Sequence, residues 1–284
     1  MGDCRVTQGY HPLVVLAGDV RNEAEVMAKF LECEQGSRKW MELRAGIPTS
    51  SEFDKIITPG GAPSKSASAY CNKLLVEVML GRPLIGTSMP WMDRGKDMEH
   101  EAVKYFELMK DVETVPIGFV TTDDGRIGAS PDRLVGARKL LEVKCPTDET
   151  QSKYLAAHID ALLGQDKGVA ETYRVQCQGQ LFVAERDSTY VLAYYPGLPE
   201  AITEVPRDEK FIALMRTELY KFVEMFDQRL ARLKELGYLD GTVRQAAEQQ
   251  KPAPEIGDLG VSDDDVERYI ADLKKRGELK VEVA

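Results

Sequence analysis

The chain has 284 residues, 43% of them apolar and 30% charged, with a formal net charge of −10. That balance suits a folded protein with a full core and excludes a disordered one. It also excludes binding to polyanions through bulk positive potential, though local clusters of Lys and Arg still can bind them. No apolar run approaches the roughly 18 residues of a membrane helix. The amino terminus lacks the basic region and apolar stretch of a signal peptide. Val6 stands where myristoylation of Gly2 needs Ser or Thr. The expected location is therefore cytoplasmic, with no membrane partner. Five cysteines form no Cys-x-x-Cys pair and three histidines are scattered. That excludes a disulfide framework, an iron–sulfur or zinc site, and a His-based metal centre.

Residues 1–22 are weakly patterned and read as an arm. Asn22 is placed to cap a helix from Glu23 to Glu34, with Val26, Met27, Phe30 and Leu31 at helical spacing. A short helix then carries Trp40 and Arg44 on one face and ends at Gly46. After it, Thr49, Ser50 and Ser51 open a second helix. Free N–H groups, hydroxyls and a guanidinium suit an anion such as phosphate. Taken alone, however, the segment is better explained by a plain Ser50 or Ser51 cap and a surface pair at Arg44. Thr58–Ser68 reads as a flexible surface loop and lacks the Gly-Lys-Ser/Thr ending of a Walker loop. A helix over Ala69–Leu80 stops at Gly81. The next helix, Trp91–Met109, has an apolar stripe of Met98, Ala102, Tyr105, Phe106 and Met109, with Glu99 at its edge. A carboxylate there is ordinarily a paired surface residue. Strands are expected at Val112–Thr122 and Arg126–Ala129, joined by a turn.

Ile127–Pro146 organises the rest. Branched apolar residues flank a Gly-containing break at Gly136–Arg138, which reads as a β-hairpin. Strand alternation puts Glu142 and Lys144 on one face. A turn centred on Ala137 sets Asp132 opposite Glu142. Like charges directly opposed destabilise a sheet, so the pair implies something between them, most simply a divalent cation. Beyond the hairpin come a helix from Asp148 to about His158, a loop at Leu163–Val169 and a helix over Thr172–Val183. This last helix has a face of Gln176, Gly179, Gln180 and Val183. A strand at Thr189–Tyr195 follows. A long amphipathic helix over Asp208–Leu236 uses Phe211, Leu214, Met215, Phe222, Met225, Phe226, Leu230 and Leu233. The order implies one α/β domain with a central mixed sheet flanked by helices, spanning residues 1–237. The tail, 238–284, holds a linker near Gln249–Glu255 and a helix at Ser262–Arg276.

A hard cation such as Mg²⁺ takes oxygen ligands, which Asp132, Glu142, the Val143 carbonyl and Glu99 would supply. Such a site polarises a phosphoryl oxygen and acidifies bound water. Lys144 would contact the attacking water or the developing charge. Whether it acts as base stays open, because nearby carboxylates favour its ammonium and a metal its free amine. The residues alone leave open both a metal-dependent phosphodiesterase and an ordinary charged hairpin.

Further segments recur in one order: Trp40-x-x-x-Arg44-x-Gly46-Ile-x-Thr49-x-Ser51-Glu52, Arg94-Gly95-Lys96-x-x-Glu99, Ser130-Pro131-Asp132, Leu141-Glu142-Val143-Lys144-Cys145-Pro146 and Gln176-x-Gln178. As an ordered set over about residues 38–235, they resemble the lambda exonuclease family. These are the YqaJ-like viral recombinases of the PD-(D/E)xK nuclease superfamily, with a restriction-endonuclease-like core. The resemblance implies a Mg²⁺-dependent 5′→3′ exonuclease (Mn²⁺ as substitute) that resects linear duplex DNA. It makes Asp132 and Glu142 metal ligands and matches Glu99 to the family's helical Glu, with Lys144 and Gln176 completing the catalytic set. It makes Arg44 and Ser51, with Thr49 and Trp40, the holders of a 5′-phosphate, reversing the plain-cap explanation. It further implies a homotrimer around DNA, a single-strand annealing protein as partner and a host-cell cytoplasmic location. A restriction- or repair-type endonuclease is the alternative. Arg133 stands where the family usually has Gly, and the tail has no counterpart in it.

Overall fold

A computed structural model describes residues 28–84, 90–163 and 172–239, with side chains throughout except at 90–97, 148, 161 and 162. The chain divides into one unit, Met1–Leu236, and a second, Gly237–Ala284. Every element below belongs to the first. The expected arm, most of the loop at 163–169, and the linker and helix of the tail lie outside the described residues.

The strands among those residues are β1 (Lys29–Leu31), β2 (Thr114–Pro116), β3 (Phe119–Thr121), β4 (Gly128–Ala129), β5 (Arg133–Val135), β6 (Lys139–Lys144), β7 (Ser188–Ala193) and β8 (Ala201–Pro206). The helices are α1 (Arg38–Arg44), α2 (Ala67–Leu80), α3 (Pro90–Lys110), α4 (Asp148–Leu162), α5 (Arg174–Ala184) and α6 (Glu209–Glu235), with a 3₁₀ turn at Ser50–Lys55. β1, β3 and β4 form a small antiparallel sheet. The main sheet runs β2-β5-β6-β7-β8 and is mixed, because only β6 and β7 are parallel. Parallel neighbours need a crossover, and α4 and α5 lie in it.

β6 is covered on both faces, which suits its nearly continuous apolar character. Leu140 packs in one cluster with Leu181 of α5 and with Met215 and Leu219 of α6. Leu141 and Val143 turn the other way, onto Ala102, Val103 and Phe106 of α3. Period-2 alternation therefore aims Glu142 and Lys144 at α5.

The structure corrects several expectations. Phe30 and Leu31 belong to β1 and pair with Val120 and Phe119, not to a helix reaching Glu34. The single strand expected over Val112–Thr122 is two strands in different sheets. They part at Gly118, where a Cβ would sit 2.2 Å from the Cys33 carbonyl oxygen, so only glycine lets that chain pass. β8 was not expected at all. Met109 and Leu214, expected in the apolar stripes, are 54% and 52% exposed, whereas Val103 and Leu219, left out of them, are buried. The loop at Thr58–Ser68 is pinned at its base by Ile57–Pro63 pairing and by the Thr58 N–H bond to Ala62 O (2.8 Å).

Candidate active site

β5 and β6 pair Arg133 with Leu141, Leu134 with Leu140 and Val135 with Lys139. The same register sets Asp132 opposite Glu142, the arrangement expected of a turn at Ala137. Gly136 adopts φ +59° in that turn, a conformation that favours glycine. Just before β5 the Asp132 carboxylate takes over from the strand. Its Oδ2 accepts the Val143 N–H at 2.6 Å. A strand residue points its N–H and C=O to the same edge. The Val143 carbonyl therefore also faces Asp132, while the next carbonyl, Lys144 O, accepts Tyr194 N–H at 2.9 Å on the far edge.

Glu142 is buried and holds three donors. Lys144 Nζ (2.5 Å) and Gln176 Nε2 (2.6 Å) reach Oε1, and Gln180 Nε2 reaches Oε2 at 2.5 Å. Lys144 also lies 3.5 Å from Gln176 Oε1 and 4.8 Å from the centre of the Tyr173 ring. Tyr173 in turn bonds Tyr154 through their hydroxyls. Of these contacts, Gln180 and Tyr173 were not expected as site residues. Gln180 read only as one amide on a mixed helical face, because an uncharged side chain leaves no charge pattern to notice.

The electrostatics are those of crowded acids. Burial, then the Glu142 and Glu99 charges, push the Asp132 carboxyl well above the ordinary carboxylate range. Burial pulls Lys144 down, but Glu142 and Asp132 outweigh it and hold the ammonium above its ordinary value. The Cys145 thiol is pushed up to about 11 by burial and then by Glu99. Cys177 is pushed up to about 12 by burial and then by Glu142. Both thiols are therefore protonated and unsuited to nucleophilic attack. Glu99 acts on Asp132 and Cys145 through its charge. Among the described residues no three His, Cys, Asp or Glu side chains converge tightly enough to cage an ion. The donor chemistry nonetheless suits a hard divalent cation. Asp132, Glu142 and Glu99 offer three carboxyl groups beside one ammonium, and the Val143 carbonyl faces the same edge. Ionising all of them together in a half-buried place is costly, and a bound cation would offset that cost.

A second cluster lies on α1, the 3₁₀ turn and α2. Arg44 stacks over Trp40, its guanidinium carbon 4.1 Å from the ring centre. Arg44 Nη1 and Trp40 Nε1 both donate to Ser130 Oγ at 3.0 Å. Arg44 Nη2 reaches Thr49 Oγ1 at 3.3 Å, and the Thr49 and Ser51 hydroxyls are 3.5 Å apart. Arg44, Thr49 and Ser51 line a cavity of about 340 Å³ with Glu52, Tyr70 and Lys73 among its other walls. Glu52 bridges Lys55 and Lys73. Neither Ser50 nor Ser51 caps the turn. Its N-cap is Thr49, which makes no side-chain cap bond.

Two contacts bind the clusters together. Thr49 bridges to Gly128 in β4, whose N–H bonds Pro48 O at 3.0 Å. From there the chain runs through Ser130 and Pro131 straight to Asp132, and Gln35 Nε2 holds Pro131 O at 2.9 Å. On the other side, Gly179 of α5 meets the 3₁₀ turn. A Cβ there would lie 2.5 Å from Phe53 Cδ2, so glycine brings the turn against the helix that carries Gln176 and Gln180. The structure thus gathers Asp132, Glu142, Lys144 and Gln176 in one place, and Arg44, Thr49, Ser51 and Trp40 in another. Ser130 is the unanticipated hub of the second.

No curated protein sequence matches the chain. An alkaline exonuclease, LHK-Exo, from Laribacter hongkongensis is 26% identical, with a TM-score of 0.58 over 75% of this chain and 99% of that one. The same enzyme in complex with dAMP superposes with a TM-score of 0.59. A phage related exonuclease from Haemophilus somnus 129PT shares the fold at 14% identity, with a TM-score of 0.51 over 66% of this chain and 96% of that one. The model of the YqaJ-like viral recombinase domain matches residues 39–187, from the start of α1 to the start of β7. The chain belongs to the YqaJ-like viral recombinase family.

Proposed function

We propose that this chain is a Mg²⁺-dependent 5′→3′ exonuclease that resects one strand of linear duplex DNA to leave a 3′ overhang. The observation that carries this reading is the segment Ser130-Pro131-Asp132. Its first residue fixes Arg44 in a cavity suited to a terminal phosphate, and its third belongs to the acidic cluster. An anion pocket held two residues from a hydrolytic centre suits a reaction that starts from a chain end.

In this reading Asp132, Glu142, the Val143 carbonyl and Glu99 hold the cation, with Mn²⁺ as a substitute. When bound, it supplies Lewis-acid polarisation of the scissile phosphate and a more acidic water. Arg44, Ser51 and Thr49 hold the 5′-phosphate, and Trp40 keeps the guanidinium flat against its ring. Gln176 and the Lys144 ammonium face the attacked phosphorus. They orient the water and steady charge on the oxygens as the P–O3′ bond breaks. The leaving 3′-oxygen takes a proton, a mononucleotide departs, and a new 5′-phosphate remains on the shortened strand. LHK-Exo has itself been crystallised with dAMP. The homotrimer and the single-strand annealing partner rest on the family resemblance alone, whereas residues 1–237 are read as the nuclease domain from the order of elements together with it.

Linear duplex DNA bearing 5′-phosphates should be degraded with Mg²⁺ while covalently closed circles survive. Arg44→Ala should slow digestion of phosphorylated ends at least tenfold and leave 5′-hydroxyl ends almost unaffected, because charge-assisted hydrogen bonds of this kind contribute about 1.5–3 kcal/mol. Cutting of closed circles would indicate an endonuclease instead. Equal losses on both kinds of end would remove the phosphate-pocket role.

A further inference from the structure

α5 presents three glutamines on or near its buried face, and they are used differently. Gln178 is satisfied at both ends. Its Nε2 donates to Pro206 O at 2.8 Å, and its Oε1 accepts the Asp208 N–H at 2.8 Å. That pattern ties α5 to the start of α6, as a structural amide does. Gln176 also uses both ends, on Glu142 and Lys144. Gln180 is fully buried, yet among the described residues its amide oxygen has no hydrogen-bond partner. Its amide nitrogen alone is engaged, on Glu142 Oε2.

An unsatisfied buried acceptor costs about 1–3 kcal/mol. A fold selecting only for stability would place an apolar side chain here. The flipped amide would set two oxygens against each other, so the donor end must face the carboxylate. What the arrangement achieves is orientation. A carboxylate has about four lone-pair positions on its two oxygens. Two donors occupy Oε1 and only one occupies Oε2, so Oε2 retains an open position.

We propose that Gln180 is a positioning residue that fixes the Glu142 carboxylate, so that Oε2 is the oxygen offered to a divalent cation. This rests on the reading of Glu142 as a cation donor. Outer partners of metal-binding carboxylates typically alter metal affinity or activity by about 10–100-fold when removed. The replacement Gln180→Met keeps the volume and removes both the donor and the unsatisfied oxygen. Loss of a bond to a buried charge and relief of an unpaired acceptor then oppose each other in stability.

The test is a MgCl₂ titration by isothermal calorimetry on the full-length wild type and Gln180→Met, without DNA, with melting temperatures recorded in parallel. Mg²⁺ affinity should fall about 10–100-fold in the variant, and its metal-free melting temperature should stay within a few degrees of wild type. On DNA, the variant should lose kcat and need more Mg²⁺ for half-maximal rate while KM for DNA holds. Unchanged Mg²⁺ affinity in a folded variant would overturn the proposal, and so would a large drop in melting temperature with kcat and Mg²⁺ requirement unchanged. Should Gln180→Met fail to fold, Gln180→Leu serves the same titration. Absence of Mg²⁺ binding by the wild type would instead defeat the underlying reading of Glu142.

Discussion

Lys144→Ala should lower turnover on linear duplex DNA by about 10²–10⁴-fold, the usual contribution of one positioned proton-handling or charge-stabilising group. DNA affinity measured by fluorescence anisotropy should change little. The expectation follows from where the ammonium sits. It is 2.5 Å from Glu142 Oε1, near Gln176, and under the Tyr173 ring, so it faces the chemistry rather than the length of the duplex. Lys144→Arg should not restore the rate, because a planar fork cannot replace a compact ammonium in that space. Turnover within tenfold of wild type for Lys144→Ala would show that this lysine is no more than a counter-charge for Glu142.

Asp132→Asn should separate stability from activity. Asn retains an oxygen to accept the Val143 N–H but carries no charge against Glu142 and Glu99. In the metal-free protein burial and those two carboxylates raise the Asp132 pKa, above the roughly 3.9 of an unfolded chain. The folded state therefore holds its proton more tightly than the unfolded state. The stability this contributes is fully present below about pH 3.9 and is lost as pH rises through the raised folded value. The Asn variant does not titrate there. Its melting temperature in EDTA should exceed that of wild type at pH 8 by several degrees, at about 2–4 °C per kcal/mol for a domain of this size. The difference should shrink as pH falls towards 4. Activity with Mg²⁺ should fall by at least about 10³-fold, since a cation donor is gone. Scanning calorimetry at several pH values checks the first part. An Asn variant that melts below wild type at pH 8 would refute the strained-acid account of this carboxylate.

The legible parts of the fold were those in which local pattern and tertiary structure agree. The hairpin register followed from one glycine-containing break and from alternation on both sides of it. That alone brought Asp132 opposite Glu142. α2, α3, α5 and α6 followed from helical spacing and from glycine or charge at their ends. β1 was misread because Phe30 and Leu31 also fit a helical stripe, while their strand partners Phe119 and Val120 lie some 90 residues away. The break at Gly118 depends on how closely Cys33 approaches, which the intervening sequence does not announce. β8 mixes apolar, Thr and Glu residues at a sheet edge, where one face needs no apolar cover.

The candidate site divides in the same way. Charged residues with tight spacing, Asp132, Glu142 and Lys144, could be placed from the hairpin alone. Arg44 and Ser51 gained their reading only from the ordered resemblance, since their own segment, read alone, is better explained by local capping. Ser130 and Gln180 escaped because each is a neutral side chain whose importance lies in what folds against it. Ser130 receives two donors from a helix about 90 positions earlier in the chain. Gln180 is distinguished from Gln178 only by a bond to a carboxylate and the lack of one at its other end.

The most direct test of the central claim is a crystal of the wild-type protein soaked in Mn²⁺ and measured near the manganese absorption edge. The account predicts an anomalous peak between the Asp132 and Glu142 carboxylates, within coordination distance of the Val143 carbonyl oxygen. A saturated crystal with no peak there, or with manganese bound only elsewhere, would contradict it.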